Sequence, residues 1–295
     1  MSTDAEDTED AGEVARAEDA TQAEDDAGAK PEGGPPAERP GGSSLAIVAW
    51  GLSLYAGCRA IDIFLEAQAL AAAVGQAVLV EWGSARLGVS WSEPSRATTT
   101  AAIARRALLG AAIGAGMAAT LFAILVASKG VTTETVTQVE PSVLAIGFIT
   151  AALHAWRDEL LLHGITLRAL EGASIGAPGR VLACGITSAG AALGRSDATA
   201  RTVFAAFLLG IVLGALWVRD RGAWQPWAAH AAFRWTTGTV LAGGLVHSRL
   251  ATNAWAGGSD GVLGGTAATI ALVPVALLAM VWAVRRISPR SARVG

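Results

Sequence analysis

The chain has 295 residues, of which 52% are hydrophobic and only 16% are charged. A soluble domain carries about a quarter charged residues, so this composition points to a protein that shares its surface with lipid. The charge is also unevenly placed: residues 1–43 hold 13 Asp and Glu against 3 Lys and Arg, whereas the remaining 252 residues hold 12 acidic and 19 basic groups. The Arg residues flank apolar segments and form no continuous stripe, so no nucleic-acid partner is expected.

Residues 1–43 end in PEGGPPAERPGGS and have no basic start or apolar run of the signal-peptide type. Such a segment cannot bury enough apolar surface to offset its conformational entropy, and a disordered acidic tail is expected. A membrane domain is expected over 44–286, with a short basic tail at 287–295.

A helical crossing needs about 20 apolar residues. Residues 45–82 would make a helix roughly 57 Å long. They are therefore read either as one crossing with an interfacial extension or as two short crossings broken near Arg59–Asp62. Clearer spans follow at 107–127, 142–163, 179–194, 203–218, 226–245 and 264–284. The expected fold is all-α, a polytopic transmembrane bundle of seven or eight helices. Turns are expected at 92–95 (SEPS), 171–179 (EGASIGAPG) and 256–265 (AGGSDGVLGG). Gly110, Gly114 and Gly116 on one helix, and Gly210 and Gly214 on another, have the spacing that lets helix backbones approach closely.

The last span runs into RRISPRSARVG, with four Arg and no acid. The positive-inside rule places that end in the cytoplasm of a multi-pass cell-membrane protein. Counting back, the connections at 219–224, 168–180 and 83–106 lie on the same side, and 128–141, with one Lys and two Glu, lies on the other. Trp82, Trp156, Trp217, Trp224 and Trp227 fall near span ends, where amphipathic rings settle at the interface. Cys58 and Cys184 lie in or beside apolar segments and read as buried thiols.

The most chemically loaded segment is HAWRDELLLHG (154–164). Charge at membrane depth is costly and usually faces a bundle interior or an aqueous cavity. Glu159 and His163 are i, i+4 and share a helix face, as do His154 and Asp158. His154 and His163 are nine residues apart, about 180° around an α-helix, which excludes them from one site. The pattern suits either a carboxylate–imidazole pair for general acid–base work, with a metal site as a variant of it, or a helix end at the interface. Further on, in RGAWQPWAAHAAFRW (221–235), Pro226 sits near a helix start, and His230 and Arg234 share one face.

These two segments together resemble the CPBP (Abi) intramembrane proteases, which include the type II CAAX prenyl endopeptidases. The family carries Glu-Glu-x-x-x-Arg on one helix, Phe-x-x-x-His on the next and His-x-x-x-Asn further on. The resemblance covers about residues 142–240. Asp158 and Glu159 stand at the Glu pair, with Asp at the water-activating position, and His163 stands at the Arg. The middle motif fits best on GITSAGAALG (185–194), with Gly190 at the Phe and Gly194 at the His. His230 matches the His of the third motif, and Arg234 replaces the Asn that contributes to the oxyanion site.

What the resemblance implies is an endopeptidase that cleaves a membrane-associated protein or peptide, with the lipid bilayer as its other partner. Asp158, Glu159, His163, His230 and Arg234 are its candidate catalytic residues. Glu159 paired with His163 is the alternative to Asp158 as the working carboxylate. No cofactor is expected. A divalent metal stays open, although the remaining ligands are few for a zinc site. A non-catalytic homologue serving as a membrane partner or scaffold is the competing function. A proton-conducting transporter ranks below both, because no inverted repeat is visible.

Overall fold

The computed structural model describes residues 43–93, 98–171, 173–196, 198–257 and 261–285. The tails expected at 1–43 (Ser43 apart) and 287–295 lie outside those residues. Within them run α1 (Ser44–Phe64), α2 (Ala69–Arg86), α3 (Thr100–Ala127), α4 (Pro141–Asp158), α5 (Ile165–Ala169), α6 (Ala177–Leu193), α7 (Ala200–Asp220), α8 (Trp224–Trp235) and α9 (Thr266–Arg285). A π-helical turn, Glu159–Gly164, joins α4 to α5, and a second, Thr236–Val240, extends α8.

Local chemistry sets the helix starts. The side chains of Ser43 and Thr99 accept from the backbone N–H groups of Ala46 and Ala102, and Thr199 and Thr202 form a reciprocal capping pair. Pro141, Pro178 and Pro226 all fall in a first turn, where no backbone donor is lost. The break between the first two helices falls at residues 65–68, after the expected Arg59–Asp62. There Arg59 bonds Asp62 at 3.2 Å across one helical turn, so these charges hold the end of α1 together.

Four described helices, α1, α3, α7 and α9, are long and apolar enough to cross a membrane by composition alone. The other expected crossings fall on α2, α4, α6 and α8. These are shorter than a full span or carry groups such as Gln76, Glu81, Arg157 and Asp158. Among the described residues the helices are accompanied by one two-stranded ladder that periodicity did not signal. Val131–Thr135 (β1) pairs antiparallel with Val246–Leu250 (β2), with Val131 opposite Leu250 and Thr133 opposite Ser248.

The connections sort to two ends. At one end Ser92 bridges Gly222, Arg106 grips the Asp220 carboxylate with two 2.7 Å bonds, and Arg168 donates to the Leu87 carbonyl at 2.9 Å. Arg219 stacks on Trp282 there, near the end of α9. At the other end β1 meets β2, and Trp235 donates to the Leu144 carbonyl at 3.1 Å. The Arg-rich connections read from sequence as sharing one side do lie together.

Tight approach positions α8. A Cβ on Gly110 or Gly114 would overlap the backbone carbonyls of Gln225 and Ala229, so α3 and α8 touch backbone to backbone beside His230. Gly210 and Gly214 make the same kind of room on α7 for Ser188 and Cys184 of α6. Both cysteines are buried.

The tryptophans expected near span ends make specific contacts inside the bundle. Trp91, Trp156, Trp224 and Trp227 cluster at ring separations of 4.3–6.1 Å, and Trp91 and Trp156 both donate to Glu81, at 3.1 and 2.8 Å. Trp217 is buried, and of the five only Trp82 is an exposed large apolar side chain. An indole N–H needs an acceptor, and here inward-facing carboxylates supply it. Replacing Gly114 with Val should separate α3 from α8 at a cost of about 1–3 kcal/mol or more. This is read as a lower thermal unfolding midpoint in detergent, while Gly116→Ala, whose Cβ would meet nothing within 4 Å, should leave the midpoint unchanged.

Candidate active site

The site is built where α4 runs into its π-helical turn. Such turns recur at functional sites because one extra residue changes the phase of everything after it. Here the extra residue shifts the phase by about 100°. His163, which an unbroken α-helix would place opposite His154, is brought round to the same cavity. The exclusion of a shared site for these two rings therefore does not hold.

Glu159 is the buried centre. Its side chain is fully enclosed, and three donors converge on it. His163 Nδ1 lies 2.8 Å from Oε2, Trp217 Nε1 lies 2.8 Å from the same oxygen, and His230 Nδ1 lies 2.9 Å from Oε1. A carboxylate only accepts, so each imidazole donates through Nδ1 and, in its neutral form, keeps Nε2 as an acceptor. His163 Nε2 is 3.1 Å from Ser188 Oγ. His230 Nε2 has no protein partner among the described residues and lies open to the cavity.

Asp158 is held differently. Arg157 donates to Oδ1 from Nε at 2.7 Å and approaches it from Nη2 at 2.6 Å, while Arg234 Nη1 lies 3.3 Å from Oδ2. Arg157 also donates to Gln76, which in turn donates to Asp62 and to the Cys58 carbonyl, tying α4 to α1 and α2. The two adjacent carboxylates thus have separate environments: Glu159 holds imidazoles, and Asp158 lies between guanidiniums.

These groups line a cavity of about 640 Å³, walled on one side by Ala206, Leu209, Gly210 and Leu213 of α7. Asp158, His163, His230 and Arg234 all reach it, as do His154 and Arg157, and Glu159 stands behind them. His154 Nδ1 is buried with no partner among the described residues. The cavity runs from the middle of the bundle past Tyr55 to Arg59, Asp62, Arg195 and Ser196. Arg195 and Ser196 are exposed, so it opens at the end opposite the Arg-rich connections.

The two glycines at the middle-motif positions lie on or just past α6. Gly190 faces open space, and the Tyr55 hydroxyl occupies the room that a side chain at Gly194 would need. α6 presents Ser188, Ala191 and Ala192 to the cavity. Sequence reading missed Ser188, Trp217, Gln76 and Tyr55. Ser188 lies on a helix of low polarity, and Trp217 passes for an interfacial ring, so neither carries a local signal. Among the described residues, no cluster of three or more His, Cys, Asp or Glu is arranged to hold a metal ion.

A helical bundle with apolar spans, and with large apolar side chains such as Phe64, Leu108, Leu193 and Leu278 exposed on its outside, is a membrane protein. Residues 139–236 match the family model described as type II CAAX prenyl endopeptidase Rce1-like. The resemblance to the CPBP proteases is thereby borne out over about a third of the chain, the part that carries Asp158, Glu159, His163, His230 and Arg234. No curated protein and no solved structure matches the chain.

Replacing Trp217 with Phe removes one of the three donors to Glu159 while keeping most of the ring. The expected cost is about 1–3 kcal/mol for the under-satisfied buried carboxylate. It is measured as a drop in the detergent unfolding midpoint relative to Trp282→Phe.

Proposed function

We infer that this protein is an intramembrane endopeptidase that hydrolyses a peptide bond in a membrane-associated substrate, using imidazole oriented by Glu159. The observation that carries this reading is the Glu159 carboxylate bonded to His230 Nδ1 at 2.9 Å beside an open cavity. Nε2 of His230 is then the acceptor for a proton from water. The water attacks the scissile carbonyl, and the ring returns the proton to the leaving amine. Carboxylate orientation of a histidine fixes the tautomer this step needs. Arg234 and Arg157 bring N–H donors into the same cavity for the developing oxyanion. Asp158, with both oxygens engaged by guanidinium, positions these donors rather than taking the proton.

The proposal includes the placement of the protein. The Arg-rich end, with the end of α9, faces the cytoplasm of the cell membrane, and α2, α4, α6 and α8 complete a bundle of eight crossings. The cavity mouth at Arg195 and Ser196 then faces the opposite side, from which substrate enters. A maleimide that cannot cross membranes should label Ser196→Cys in intact cells but label Ser90→Cys only after lysis. The reverse pattern overturns this orientation.

A non-catalytic membrane partner is the second reading. It is favoured by the capture of Asp158 between Arg157 and Arg234. Cleavage assays on purified protein with membrane-tethered peptides separate the two. Glu159→Gln and His230→Ala are each expected to lower the rate by about a hundredfold or more, and Asp158→Asn by less. Cleavage at the wild-type rate in both of the first two variants sinks the endopeptidase reading, and cleavage abolished by Glu159→Gln excludes the scaffold.

A further inference from the structure

Behind Glu159, at the Arg-rich end of the bundle, lies a second cavity of about 150 Å³. Guanidiniums from three elements line it: Arg168 of α5, Arg180 of α6 and Arg221, which caps α7. The fold makes little use of two of them. Among the described residues the Arg221 side chain has no hydrogen bond or ion pair, and its backbone is left-handed (φ 53°), where a helix end usually carries glycine. Arg180 donates only from Nε, to the Ile175 carbonyl at 3.1 Å. Arg168 is the engaged one, donating to the Leu87 carbonyl at 2.9 Å and to Glu171. Glu171 and Glu93 are the carboxylates on the same cavity. Three cations against two anions leave one positive charge. A phosphate diester carries one negative charge, and its oxygens match the forked donors of guanidinium.

The inner wall of this cavity belongs to the Glu159 network. Trp217 and Gly164 line it. A Cβ on Gly164 would lie 3.3 Å from Trp217 Cη2, so the edge of the indole rests against the end of the π-helical turn while its Nε1 donates to Glu159 at 2.8 Å. Arg168 follows Gly164 by one helical turn, and Arg221 follows Trp217 by one. An anion held by both arginines braces the two segments that carry Glu159, His163 and Trp217.

We propose that this cavity binds the phosphate of a phospholipid headgroup through Arg180 and Arg221, with Arg168 beside them, and that its occupation braces Trp217 against Glu159. Basic pockets between membrane helices take such phosphates at headgroup level, which is where an Arg-rich end settles. Inorganic phosphate offers the same oxygens without acyl chains to hold it at the bilayer. The binding stands by itself, whereas an effect on catalysis rests on the endopeptidase reading above.

The full chain, stripped of lipid in detergent, is titrated with dioctanoyl phosphatidylglycerol, with dioctanoylglycerol, which lacks the phosphate, and with inorganic phosphate. A ligand of the folded state raises the thermal unfolding midpoint. Phosphatidylglycerol should raise it saturably, and the other two should leave it in place. Arg180→Gln and Arg221→Gln, the second of which gives up no side-chain bond among the described residues, should each weaken lipid binding by on the order of tenfold. Unchanged binding in both variants, or an equal rise with dioctanoylglycerol, overturns the site. An equal rise with inorganic phosphate at the same concentration assigns the cavity to the free ion and overturns the lipid. With a cleavable membrane-tethered peptide, phosphatidylglycerol should raise the cleavage rate, and Arg221→Gln should need about tenfold more lipid to reach the same rate. A rate that saturating lipid leaves unchanged overturns the bracing of Glu159. A chain that binds the lipid through both arginines and cleaves no peptide upholds the site and removes the endopeptidase reading instead.

Discussion

A carboxylate taken wholly out of water is stable only when donors replace its hydration. Glu159 is such a group, and it finds three donors: His163 from the next turn of its own chain segment, Trp217 from α7 and His230 from α8. Each comes from a different part of the sequence. Packing α4, α7 and α8 together and satisfying this one side chain are therefore the same event. The rest of the bundle serves that convergence. The glycines of α3 let α8 come close enough to present His230, and those of α7 let α6 come close enough to present Ser188.

The adjacent carboxylate shows how one helix turn separates two roles. Asp158 and Glu159 are neighbours in sequence, yet consecutive positions point about 100° apart. One turns to the imidazoles and the other to Arg157 and Arg234. The guanidinium pair neutralises Asp158 and leaves a cationic rim on the cavity. Through Gln76 and Asp62 the same network continues to α1 and α2. From the mouth at Arg195 and Ser196 inward, the cavity passes that rim before the imidazoles.

Sidedness follows from simpler physics. Arg106, Arg168, Arg219 and Arg221 gather at one end, and there they hold connections together, as Arg106 does with Asp220 and Arg168 with Leu87. At the opposite end the β1–β2 pair satisfies backbone groups that helices leave behind. The cavity opens on that second end, away from the Arg-rich loops.

The amino-acid pattern by itself determined the helical membrane class, the approximate order and place of the helices, the grouping of Arg-rich connections and the importance of the 154–164 segment. All of these depend on local composition and period. The Glu159–His163 pair was legible for the same reason, because i, i+4 neighbours meet on any helix. Tertiary structure alone decided the rest. The π-helical turn that unites His154 and His163 in one cavity leaves no periodic trace. That Ser188 faces the cavity depends on how α6 rotates against Tyr55 and Gly210. The inward turn of Trp156 and Trp217 depends on carboxylates, Glu81 and Glu159, that lie 75 and 58 residues away in the chain. A buried polar group chooses its partner by proximity in the fold, and separation along the chain carries no record of that choice.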